Sequence, residues 1–233
     1  MDFKHYINYF KKNENMKLIG GGILIVGFIC IWLGLGIFYV LSVMLVPAGF
    51  VMFIVGSGGR ASESEVDDYI SRGMEKLEVE LSEDKHYRKR ILDHIPPRNL
   101  EGYLYDDGVM LKKAKDSSIR SSTYTKAIIY VLADELYIVR RTISIISNDK
   151  TNETIEIPYE TLANVEIIRQ RGTKKDGKKS FLVKETFIKI TYGDDQTFIT
   201  PIHDDITSDE FAEQILKLAK AYKDKKTSEE AAE

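Results

Sequence analysis

The sequence predicts an α+β membrane protein: a two-helix transmembrane hairpin and a juxtamembrane helix, followed by an antiparallel β sandwich or barrel capped by a C-terminal helix. Three observations carry this. Between Lys17 and Arg60 lie 42 consecutive residues without Asp, Glu, Lys, Arg or His. A charged stretch follows in which apolar residues recur every three or four positions, and beyond Pro96 and Pro97 the period changes to near two. The segments read as a cytoplasmic N-terminal stretch (1–17), the hairpin (18–59), the juxtamembrane helix (60–97), a β domain with its helix (98–223) and a flexible tail (224–233).

The net charge of −3 over 233 residues gives no reason to expect a nucleic-acid partner, but the average hides a division. All 69 charged residues fall in the 191 residues outside the apolar run, about 36% of them. A span needs roughly 20 apolar residues, so the run makes two, near Lys17 to Leu35 and Ile37 to Gly56, with Gly34, Leu35 and Gly36 in the reversal. A cleaved signal peptide has an apolar region of only about 7–15 residues, which argues against that alternative. Lys4, Lys11, Lys12 and Lys17 precede the first span and Arg60 follows the second, so both termini and the C-terminal domain are expected in the cytoplasm. Trp32, Phe38 and Tyr39 suit the outer interface.

Small residues recur every seven positions: Gly20, Gly27 and Gly34 in the first span, Ser42, Gly49 and Gly56 in the second. They mark helix-packing faces, either within one hairpin or between copies in a homo-oligomer. Pro47 is expected to kink the second span. Neither span holds an ionisable residue, which points to an anchor and away from transport by this chain alone. The one cysteine, Cys30, excludes an intrachain disulfide framework.

From Ser62 to about His94, Val66, Ile70, Met74, Leu77 and Leu81 form one stripe of an amphipathic helix, expected to dock on the following domain. Ser62 and Glu65 suit a capping box, and Pro96 and Pro97 end the segment. Residues 63–84 carry net −7 and residues 85–98 net +4, so the acidic part should stand away from an anionic leaflet.

Candidate strands are 101–105, 109–113, 123–132, 135–146, 153–158, 163–170, 181–192 and 196–200, rich in Ile, Val, Thr, Tyr and Phe. Asp106-Asp107-Gly108 and Gly193-Asp194-Asp195 supply tight turns, Asn148-Asp149-Lys150 a longer one, and Thr173 to Lys179 a long polar hairpin loop. Thr207 and Glu210 fit a capping box for a last helix in which Phe211, Ile215, Leu218 and Tyr222 share a face.

The stretch from Glu101 to Tyr222 resembles the pleckstrin-homology superfold, particularly the PH-like domains of bacterial membrane proteins. The resemblance lies in the EGYLYDDGVMLKKAK hairpin, TYTKAIIYVLADELYIVRR, PYETLANVEIIRQR, ITYGDDQTFITPI and the closing helix. It implies a non-enzymatic module that binds lipid headgroups, peptides or proteins, and it makes Lys112, Lys113 and Lys115 counterparts of headgroup-binding bases on the first hairpin.

The segment RQRGTKKDGKK adds Arg169, Arg171, Lys174, Lys175, Lys178 and Lys179 against Asp176. Near an anionic membrane each base contributes about 1 kcal/mol; the same bases would also keep exposed strand ends soluble. No catalytic constellation, cofactor or metal site is expected. His5, His86, His94 and His203 are scattered, no Gly-rich loop opens a helix after a strand, and the pairs Asp106/Asp107, Asp194/Asp195 and Asp204/Asp205 sit where turn residues belong. The expected protein is thus a membrane-anchored scaffold or binding module whose partners are the bilayer, a protein, peptide or second copy, and anionic headgroups. The alternative is a structural subunit of an oligomeric complex assembled through the small-residue seams.

Overall fold

The computed structural model describes residues 3–11, 15–33, 36–57, 59–82, 95–202 and 206–230. They fall into two compact units, Met1–Val66 and Asp67–Glu233. The first holds α1 (Lys4–Lys11), α2 (Asn15–Leu33) and α3 (Gly36–Ser57). Helix α4 (Glu63–Ser82) begins there and runs into the second.

Helices α2 and α3 are long and apolar enough to cross a membrane, and their side chains face outward, Leu18, Trp32 and Met44 being at least three-quarters exposed. A helix of a soluble core would bury such groups, so the pair fits a membrane anchor. What α2 and α3 bury against each other is the small-residue seam. A Cβ on Gly20 would lie 2.5 Å from the Phe53 backbone nitrogen, one on Gly49 2.8 Å from that of Leu24, and one on Gly56 2.6 Å from that of Lys17. Gly27 meets Val46 in the same way, and Cys30 and Ser42 are buried beside them. The Ser42 hydroxyl is satisfied within its own helix, donating to the Tyr39 carbonyl at 2.6 Å. The seam therefore closes the hairpin on itself. Gly34, the third member of the first row, lies outside the described residues.

The N-terminal stretch is helical rather than merely a leading segment. Tyr6, Tyr9 and Phe10, three and four apart, give α1 a buried face, and the His5 carbonyl accepts from the Ala61 N–H at 3.1 Å. The capping box forms at α4: the Ser62 N–H donates to Glu65 at 2.7 Å and the Glu65 N–H to Ser62 Oγ at 3.2 Å. These bonds hold the Glu65 carboxyl below its ordinary range, with His5 at 3.6 Å a smaller cause. The helix expected to reach His94 is described to Ser82, and residues 83–94 lie outside the described set.

The second unit is α+β, with antiparallel sheets and no closed barrel among the described residues. Strands β1 (Arg98–Tyr103), β4 (Thr123–Val131), β5 (Glu135–Ser144) and β6 (Lys150–Pro158) form one sheet in that order. β7 (Leu162–Asp176), β8 (Lys179–Tyr192) and β9 (Gln196–Pro201) form a second, and β2 (Leu111–Lys113) with β3 (Ile119–Ser121) a separate pair. Alternation along β4 and β5 sends Ala127, Ile129, Leu136 and Ile138 into a core shared with the second sheet and with α5 (Ile206–Glu230). Ile128, Leu132, Tyr137 and Val139 face the other way, onto Leu77 of α4. The central strands are apolar on both faces because both are covered.

Four expectations need correction. The opening hairpin does not form: β1 pairs with β4, and β2 pairs with β3, a short strand within the stretch expected to connect the second and third strands. The Thr173–Lys179 loop is a β-ribbon, in which β7 and β8 stay paired to Asp176↔Lys179 around a two-residue turn whose first residue, Gly177, has φ +58°. Its residues are polar on both faces because it extends past the core, which is why it read as a loop. Thr207 does not cap the last helix, which starts at Ile206; its hydroxyl instead accepts from Arg98 at 2.6 Å. Finally, residues 224–230 are not a frayed tail. α5 continues to Glu230, tied down where Lys223 donates to the Leu162 carbonyl at 2.8 Å and Lys226 pairs with Glu160 at 2.5 Å.

Candidate functional site

Two features of the second unit stand out: a basic end on the β7–β8 ribbon and a cleft beside it. The sequence places the basic residues in two separate segments, and one hydrogen bond joins them. The Leu111 N–H of β2 donates to the Asp176 carboxylate at the ribbon turn, 2.9 Å away. Lys113 and Lys115 are thereby brought to the same end as Lys175, Lys178 and Lys179, all exposed. Arg171 is exposed further down the ribbon.

Three of the nine expected bases are held differently. Lys112 is buried, 8% exposed. Arg169 forms a two-pronged pair with Asp209 at 2.6 and 3.2 Å, fastening β7 to α5 and lowering the Asp209 carboxyl below its usual range. Lys174 lies 3.9 Å from Glu185, itself buried. Arg169 is exposed but committed to Asp209; the other exposed bases of the nine are Lys113, Lys115, Arg171, Lys175, Lys178 and Lys179. His203, Asp204 and Asp205 lie outside the described residues.

The cleft has a volume of about 1030 Å³. One wall is α4, through Asp67, Ile70 and Met74; the opposite wall carries Tyr103, Tyr105 and Tyr124, and the β8 segment Leu182–Lys184 borders it. At its base Arg120 donates to both carboxylate oxygens of Asp67, at 2.6 and 3.3 Å. The Tyr103 and Tyr124 rings, directly paired across β1 and β4, meet edge to face with centroids 5.0 Å apart. Tyr105 donates to the Ile119 carbonyl at 2.6 Å. The sequence reading missed this site. The i, i+2 tyrosines of EGYLY were its only local signal, because Asp67 and Arg120 are 53 residues apart. Comparison with protein-family models, curated proteins and solved structures finds no match.

The tyrosines give the cleft neutral hydroxyls beside a charged lining of Asp67, Glu75, Glu101 and Asp116 against Arg120, Lys126 and Lys184. Burial pushes the Tyr103 phenol up to about 12, against a smaller opposing effect of Arg120, and burial raises Tyr105 and Tyr124 as well. All three are O–H donors at neutral pH. Since the folded value exceeds the unfolded one, the stabilisation is complete below pH 10 and is lost as pH rises from 10 through 12. Tyr103→Phe should remove one phenolate step near pH 12 from an absorbance titration at 295 nm and flatten the stability loss in that window. If the step that disappears lies near pH 10 instead, Tyr103 ionises with the exposed tyrosines and is not held up by burial. Among the described residues, no three His, Cys, Asp or Glu side chains gather as metal ligands would.

Proposed function

We propose that the protein is a membrane-anchored, non-catalytic binding module, with both termini cytoplasmic, whose β domain offers its basic ribbon end to anionic lipid headgroups. The observation that carries this is the Leu111–Asp176 hydrogen bond, which gathers bases from two distant segments at one end. Six exposed bases near an anionic surface contribute about 1 kcal/mol each, a term that salt screens. The apolar helices support anchoring, and an anchored domain meets the bilayer at high effective concentration, so a weak surface site suffices. The PH-like reading of the domain belongs to this proposal. It rests on the antiparallel sheets and closing helix, and it loses the support of the opening hairpin. Assembly of a larger complex would need helix faces other than the small-residue seam.

The test uses the full chain in neutral detergent, titrated with short-chain phosphatidylglycerol and, as control, short-chain phosphatidylcholine. Binding should be confined to the anionic lipid and should weaken at least about tenfold when Lys175, Lys178 and Lys179 become Glu. Equal affinity before and after the charge reversal would sink the lipid reading.

A further inference from the structure

β8 outruns its partner on one side. Its pairing with β7 is regular from Phe187 to Lys179, whereas β9 joins it only from Phe187 to Tyr192. The last bond on the β9 side is the Ile202 N–H to the Thr186 carbonyl, 2.9 Å. Backbone groups of alternate residues point to the same side of a strand, so the N–H and C=O of Lys184 and Leu182 face the direction that β9 occupies further along. No strand of the described residues pairs with them there. This open edge borders the tyrosine cleft, whose lining includes Leu182, Val183 and Lys184.

Leu182 makes the edge unusual. It is 68% exposed, and Ile199 is the only other large hydrophobic residue exposed among the described residues outside α2 and α3. An exposed leucine on an unpaired strand edge is a surface that soluble domains ordinarily cover or charge. The edge over residues 180–186 is about 20 Å long, enough for a strand of six or seven residues.

We propose that this edge is a peptide-binding site: an extended, acidic segment of a partner protein adds as a strand to Leu182–Lys184, with alternate side chains reaching the tyrosine cleft. Backbone groups of a strand edge are matched by another extended backbone, which selects a peptide over a headgroup. Charge sets its sign. The ribbon from Arg171 to Glu185 carries six bases and two acids, so acidic side chains on the ribbon side of an added strand are attracted, while a second copy would bring two such basic ribbons together. The cleft itself is mixed, with Asp67, Glu75, Glu101 and Asp116 against Arg120, Lys126 and Lys184, and takes the uncharged side chains of the strand. The hydroxyls of Tyr103, Tyr105 and Tyr124 supply rigid, amphipathic contact surface on the far side.

The full chain in neutral detergent is screened against an array of synthetic octapeptides in which Glu or Asp alternates with Val, Ile, Thr or Tyr. Saturable binding by array members is expected. The tightest is then remade with N-methyl groups on alternate residues, in both registers. One register should bind at least about tenfold more weakly and the other nearly as before, since an added strand turns only every second N–H to its neighbour. Leu182→Pro and Lys184→Pro remove edge-facing N–H groups while sparing those that bond β7, so each should reproduce the loss with an unchanged far-ultraviolet circular dichroism spectrum. Absence of saturable binding anywhere in the array overturns the proposal. So does binding indifferent to the register of methylation, which would reduce the contact to charge attraction by the ribbon and leave the lipid reading standing on its own test.

Discussion

Arg141→Ala is expected to lower the thermal unfolding midpoint of the β domain by about 10 °C. Arg141 is the largest of the fully buried side chains, at 0% exposure on the face of β5 that α4 covers. Its guanidinium donates to Asn152 Oδ1 at 2.9 Å, next to it on β6, and to the Gly73 carbonyl of α4 at 3.1 Å. Helix α4 packs close here: a Cβ at Gly73 would lie 3.1 Å from the Ile143 δ-methyl, which would have to shift to admit it. Truncating the arginine leaves a cavity where a fully buried side chain stood and removes its bonds to the exposed Asn152 and to the half-buried Gly73 carbonyl, together costing about 3–5 kcal/mol. In a unit of this size each kcal/mol shifts the midpoint by about 2–4 °C. Arg141→Lys keeps a charge but not the planar fork, so it should recover only part of the loss. The measurement is the β-sheet circular dichroism signal of the full chain during heating in detergent. A shift under about 2 °C for the alanine variant would show that α4 does not depend on this anchor.

Gly20→Leu and Gly49→Leu are expected to splay the α2–α3 hairpin without changing how many copies associate. At both positions even a Cβ would fall within 3 Å of backbone atoms of the facing helix, which cannot swing aside as a side-chain tip can. Accommodating a leucine therefore means moving one helix bodily, and overpacking of this kind costs about 1–3 kcal/mol or more. Spin labels at Ile31 and Val43 in a Cys30→Ser background should report a longer and broader interhelical distance in both variants. Light scattering in detergent should give the parental mass. A fall in mass with an unchanged distance would place these glycines between copies instead of within the hairpin.

The parts of the fold legible in the sequence were those where solvent imposes a simple rule. An uninterrupted apolar run is the plainest pattern a sequence carries, so α2 and α3 are legible nearly to the residue, and the seven-residue rows of small side chains mark their seam. Strands β4 and β5, buried on both faces, announced themselves as long runs of Ile, Val, Leu and Tyr. What stayed hidden depended on partners far away in the chain. Nothing near Asp107-Gly108 says that β1 will pair with β4 and leave β2 to β3. Nothing in the separate basic runs says that Asp176 will reach Leu111, that Arg169 will be taken by Asp209, or that Lys112 will be buried. Helix α1 was legible but overlooked: Tyr6, Tyr9 and Phe10 already had helical spacing.

The repeat of the hairpin seam has a geometric consequence. Seven residues fall slightly short of two turns of a straight α-helix, so a row at that spacing drifts about 20° around the axis with each repeat. Gly20 and Gly27, or Ser42, Gly49 and Gly56, can all stay at the contact only if the two helices wind around each other with a left-handed twist. The outward surface of the pair is then a shallow spiral, with Trp32 and Met44 on its outer wall. A neighbour docking against this pair meets a coiled surface whose seam glycines are already enclosed, with Gly22 and Gly36 left open.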